Sequence, residues 1–77
     1  MTTQEFINDS IPGLGVSPYM VNRIRFHARA CHNKGRSEYI MLRQVARNHG
    51  YNRDALELAR KEWANAEAGN KFEIVRG

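Results

Sequence analysis

The chain has 77 residues, 42% of them hydrophobic and 26% charged, and its formal net charge is +4 at pH 7. So short a chain buries only about 60% of the surface that it exposes when unfolded. It can therefore form only one small core, which argues against a large catalytic pocket. A homodimer would bury further surface and remains an alternative. The apolar share is too high for a disordered chain, and no apolar run approaches the roughly 18 residues of a membrane span.

Residues 1–16 predict a short helix followed by a loop. Thr2 and Glu5 have the spacing of a capping box at a helix N-terminus. The helix is expected to end before Pro12 and Gly13, which disfavour its continuation. Three apolar residues of the loop are expected to lie on the core: Ile11, Leu14 and Val16.

The second predicted helix runs from Ser17, a favourable N-cap, to about Lys34, with Gly35 as the residue that ends it. At about 100° per residue, five apolar residues share one face. They are Met20, Val21, Ile24, Ala28 and Cys31. Tyr19 and Phe26 lie on another side, so this helix either sits in the middle of the bundle or leaves one side for a partner.

The third predicted helix starts at Ser37 and stops at Gly50. Its inner face is predicted to carry Met41, Leu42, Val45 and His49. Arg43 and Arg47, one turn apart, are predicted to point outward.

The fourth predicted helix is capped by Asn52 and runs to about Ala68, before Gly69. Its inner face is predicted to carry Ala55, Leu56, Ala59, Trp63 and Ala66. The sequence thus predicts a single all-α domain: a short helix and loop over 1–16, a compact core of three main helices over 17–68 with a helix-turn-helix-like corner at Gly50, and an extended tail over 69–77.

Residues 44–61 resemble the helix-turn-helix of bacterial and phage repressors. Ala46, Gly50 and Leu56 match the small residue, the turn glycine and a buried aliphatic of that motif. His49 departs from it, because an aliphatic residue is usual at that position. The resemblance implies a DNA-binding regulator, and the alternative is a plain corner between two packed helices.

Positive charge is concentrated in the middle of the chain. Residues 23–53 hold eight Lys or Arg and one acid, a net charge of +7 between near-neutral flanks. This asymmetry favours a polyanionic partner, with DNA preferred to RNA, and the alternative is a solvated face that only keeps the protein soluble. Six residues are predicted to bind phosphates: Arg25, Arg29, Lys34, Arg36, Arg43 and Arg47. Asn52 and Arg53, at the start of the fourth helix, are candidates for reading bases.

A second hypothesis is a phage- or plasmid-type inhibitor or adaptor that docks its basic face on an acidic partner protein. Its interface anchors would be Tyr19, Phe26 and Trp63, since aromatic residues and arginine dominate interface energetics. Exposure of Tyr19 and Phe26 would favour such an interface or binding of single-stranded nucleic acid.

The sequence carries few signs of catalysis or of metal binding. His27 and Cys31 stand one turn apart, but a structural zinc needs four ligands, so we expect a buried thiol beside a histidine. No phosphate loop, paired-carboxylate motif or dinucleotide fingerprint occurs, and we expect neither enzyme activity nor a cofactor. A lone cysteine and the lack of a signal peptide at the N-terminus favour the cytoplasm.

Overall fold

The computed structural model describes residues 2–74 and contains four helices in that range. They are α1 (Thr3–Asn8), α2 (Pro18–Asn33), α3 (Glu38–Asn48) and α4 (Arg53–Glu67). The predicted all-α bundle of three main helices and one short helix is therefore confirmed. Residues 75–77 of the predicted extended tail lie outside the described residues, and residues 70–74 are not helical.

Side-chain caps fix where the main helices start. The hydroxyl oxygens of Ser17 and Ser37 accept hydrogen bonds from the N–H groups of Met20 and Ile40, and thereby satisfy donors that the first helical turn leaves free. Asn52 caps α4 in the same way. These three N-caps agree with the predictions from the sequence.

The corner between α3 and α4 has two successive residues with positive φ. Gly50 has φ +62°, as expected for a turn glycine, and Tyr51 has φ +55°. A left-handed conformation costs a non-glycine residue about 1 kcal/mol or more. Two backbone hydrogen bonds hold Tyr51 in this conformation. Its N–H donates to the carbonyl of Ala46, its carbonyl accepts from the N–H of Ile11, and each donor–acceptor distance is 2.8 Å.

One hydrophobic core lies between α4 and the other helices. It combines apolar residues from all four helices, and its largest fully buried apolar side chains are Ile7, Ile24, Met41, Leu42, Val45 and Leu56. Met20 and Val21, predicted to be internal, are only partly buried at the start of α2. His49 is half-buried at the C-cap of α3, beyond the last turn of its apolar face.

The loop between α1 and α2 packs through its backbone. Ile11 forms an isolated parallel bridge with Asn52 and is 50% exposed, and Leu14 is 58% exposed. The prediction that these two side chains lie on the core is therefore wrong, because backbone hydrogen bonds hold the loop in place. Val16 does pack against the core, as predicted.

Candidate nucleic-acid interface

Two of the predicted phosphate-binding residues are engaged with a buried carboxylate. Glu62 of α4 is only 1% exposed, and its two oxygens accept from Arg25 Nε at 2.9 Å and from Arg29 Nη2 at 2.6 Å. Burial would raise the pKa of Glu62, but the hydrogen bonds from Arg29 and Arg25 outweigh it and hold that pKa below its ordinary value. Phosphate binding by Arg25 and Arg29 stays a prediction, and the Glu62 carboxylate neutralises one of their two positive charges inside the fold.

Glu62 was missed in the sequence, although its position carries a signal. It falls three residues after Ala59, on the side of α4 that faces the core. An acidic residue at such a position indicates a buried partner of opposite charge, since an unpaired buried carboxylate is costly.

The other four predicted phosphate-binding residues are exposed. We call Lys34, Arg36, Arg43 and Arg47 the basic face. Arg43 and Arg47 point outward from α3, as predicted, and Lys34 and Arg36 flank the turn between α2 and α3. Since α3 rises about 1.5 Å per residue, Arg43 and Arg47 are separated by about 6 Å along the helix.

No member of the basic face forms an ion pair within residues 2–74. Arg43 lies over the ring of Tyr39, with its guanidinium carbon 5.8 Å from the ring centroid. Glu38, which follows Arg36 and Ser37 in the sequence, has its Oε2 3.8 Å from Nε of Arg60 of α4. The basic face therefore keeps its positive charge unneutralised.

The two candidates for base reading make hydrogen bonds within the protein. Asn52 Oδ1 accepts from the N–H of Asp54 at 2.9 Å, and Asn52 Nδ2 donates to the carbonyl of Gly15 at 2.8 Å. Arg53 Nη2 donates to the carbonyls of Asn8 and Ser10. Asn52 Nδ2 and Arg53 Nη2 are thus engaged by carbonyls at the end of α1 and in the loop that follows it.

The three aromatic candidates divide into two exposed rings and one buried ring. Tyr19 is 69% exposed and Phe26 is 64% exposed, whereas Trp63 is 8% exposed and stacks edge-to-face with His32 at a centroid distance of 4.9 Å. Arg23 bonds to the Tyr19 hydroxyl at 3.1 Å and lies over its ring. Tyr19 and Phe26 therefore offer surface to a partner, and Trp63 offers little.

A groove of 530 Å³ opens beside Phe26, between α2 and residues 72–74. Phe72 forms its far wall and meets Phe26 edge-to-face at a centroid distance of 6.2 Å. Arg23 and Lys34 also line it. This groove was not predicted from the sequence, because the segment that forms one wall has no helical periodicity.

The single thiol is enclosed between α2 and α3. Cys31 is 4% exposed, and its Sγ lies 3.6 Å from His27 Nε2 and 3.7 Å from Gln44 Oε1. The predicted burial of Cys31 is confirmed. In the described part of the chain, no three His, Cys, Asp or Glu side chains gather as metal ligands.

Comparisons with protein-family models, curated proteins and solved structures find no match for this chain. None of the helices within residues 2–74 is both long and apolar enough to cross a membrane. The features that point to a function are the unpaired cations, the exposed rings and the groove.

Proposed function

We propose that this protein binds nucleic acid by placing the basic face against the phosphates. The observation that carries the proposal is that Lys34, Arg36, Arg43 and Arg47 are exposed without an acidic partner in the described chain. Phosphates displace no internal ion pair when they meet such side chains, and counterion release favours the complex.

Binding of this kind tolerates many sequences, because phosphate contacts position a protein without reading bases. The internal hydrogen bonds of Asn52 and Arg53 support the same conclusion. The simplest biological role is a small cytoplasmic regulator that acts on DNA more than on RNA. Residues 44–61, which form the corner between α3 and α4, resemble a helix-turn-helix, and this resemblance is consistent with the proposed binding of DNA.

A second candidate function is docking on an acidic protein, and the exposure of Tyr19 and Phe26 favours it. Aromatic residues beside arginine are typical interface anchors. In this case Arg23, which lies between the two rings on α2, would contact a carboxylate of the partner. A second copy of this chain is a weaker candidate for that partner, because the same face on both copies would bring like charges together.

A charge-reversal experiment tests the first proposal. Arg43→Glu combined with Arg47→Glu should weaken binding to a labelled DNA duplex at low salt by about tenfold or more, to the same extent for unrelated sequences. Lys61→Glu is the control for Arg43→Glu alone, because both change the net charge by −2 and Lys61 is exposed on α4, where it lines clefts with residues of α1 and α2. Equal losses of affinity for these two single variants would indicate a response to net charge alone. No binding of the unchanged protein to DNA or RNA would overturn the proposal.

A further inference from the structure

One side of α2 combines exposed rings with cations. Tyr19, Arg23, Phe26, Ala30 and Lys34 fall within about 80° of one another on the helix, and we call them the α2 stripe. Tyr19 and Phe26 are separated by about 10 Å along the axis, with Arg23 between them. The stripe ends at Lys34, which also belongs to the basic face.

The groove beside the stripe has a defined shape and a one-sided charge. Phe26 and Phe72, which meet edge-to-face, form its aromatic lining, and Ala30 is a small residue beside Phe26 on α2. Arg23 and Lys34 supply positive charge, and no acid is among the described residues that line it. Glu73, although adjacent in sequence, lines a different cleft with Arg25 and Asn70.

We propose that this groove binds an unpaired base of a single-stranded nucleic acid, which stacks on Phe26 while Arg23 and Lys34 hold the neighbouring phosphates. The inference rests on the proposed function and adds to it the kind of nucleic acid. Every base has a π-face that can stack on the ring of Phe26, so this stacking tolerates any sequence. Bases of a duplex are paired and stacked on each other, so a duplex could enter the groove only at the cost of unstacking.

Charge distribution favours a nucleic acid over a protein at this place. Lysine is depleted at protein interfaces relative to the rest of the surface, although arginine is enriched there. In the α2 stripe, Arg23 lies between Tyr19 and Phe26 and Lys34 follows them, so rings and cations alternate. Bases and phosphates alternate in the same way along a single strand.

The test compares Phe26 variants on two probes, a labelled oligothymidylate of about twenty nucleotides and a hairpin duplex with the same number of phosphates. Phe26→Leu keeps apolar bulk and removes the aromatic face, so it should weaken oligothymidylate binding at least about fivefold and duplex binding less than about twofold. Phe26→Tyr should retain the affinity of the unchanged protein. Leu14→Ala, which also shortens an exposed apolar side chain, is the control and should change neither affinity.

The possible failures are distinct. Binding of both probes with no effect of Phe26→Leu, or with an equal loss for both, would overturn the stacking inference and leave the basic face standing. Failure of the unchanged protein to bind either probe at low salt would overturn the proposed function and this inference together. Ultraviolet cross-linking of the oligothymidylate, mapped by mass spectrometry, should place the cross-link at Phe26, and mapping only to residues outside the groove would contradict the inference.

Discussion

Glu62 and Arg29 form the tightest ion pair of the fold, with 2.6 Å between Oε2 and Nη2, and they join α4 to α2 across 33 residues of sequence. Arg29 Nη1 also donates to the carbonyl of Asn70 at 2.6 Å, so the same side chain fixes the start of the C-terminal segment. The pair therefore links the core to one wall of the groove beside Phe26.

Glu62→Gln should lower the free energy of unfolding by about 3 kcal/mol, because it leaves the charges of Arg25 and Arg29 without a buried counterion. This loss lies at the lower end of the range for broken buried pairs, because the two arginines are 12% and 15% exposed and water reaches them. Glu57→Gln, at an exposed position of α4, should change stability by less than about 0.5 kcal/mol. Urea unfolding measures both, and a loss below about 1 kcal/mol for Glu62→Gln would mean that the pair behaves like a surface pair.

Stability should fall as the pH is lowered from 6.5, partly through His49. Burial, with the nearby charges of Arg23 and His27, lowers the pKa of His49 from 6.5. The unfolded chain then binds a proton before the folded chain does, so the free energy of unfolding drops between pH 6.5 and the folded pKa and levels off below it. His49→Gln should remove this part of the slope in unfolding experiments between pH 7.5 and 5, and an unchanged slope would contradict the assignment.

Gly50→Ala should destabilise the fold by about 1 kcal/mol, because φ at this residue is +62°. A Cβ at this position would meet no heavy atom within 4 Å, so the cost is one of backbone conformation alone. Gly50→Asn should lose less, since asparagine tolerates the left-handed region better. Equal unfolding midpoints for Gly50→Ala and the unchanged protein would show that the corner relaxes to another conformation.

Cys31 should react slowly with thiol reagents in the folded protein, because it is 4% exposed in contact with His27 and Gln44. Labelling should become fast in denaturant, when the packing between α2 and α3 opens. Rapid labelling under native conditions would contradict the burial of this face of α2.

Helix boundaries could be predicted because they depend on local chemistry. Ser17, Ser37 and Asn52 cap the helices where their side chains and the following residues predict a start, and Gly50 adopts the conformation that a turn requires. Helical periodicity also predicted most of the buried face of each main helix, although Met20, Val21 and His49 are only partly buried and Glu62 was missed.

Contacts between distant segments could not be predicted. Glu62 pairs with Arg25 and Arg29 and not with the other cations because of the way in which α2 and α4 pack. Arg53 likewise binds the carbonyls at the end of α1, more than 40 residues away. The number of Lys and Arg residues in the sequence therefore exceeds the number of cations that are free to bind a partner. Only the folded structure separates the cations engaged inside the protein from those left exposed.

Salt dependence of duplex binding tests the central claim most directly, because each phosphate contact contributes about −0.9 to the slope of log K against log salt. Four contacts from Lys34, Arg36, Arg43 and Arg47 predict a slope of about −3.6 for the unchanged protein and about −1.8 for the Arg43→Glu, Arg47→Glu double variant. Lys61→Glu should keep the slope of the unchanged protein. The same slope for the double variant as for the unchanged protein would contradict the claim that the basic face meets the phosphates.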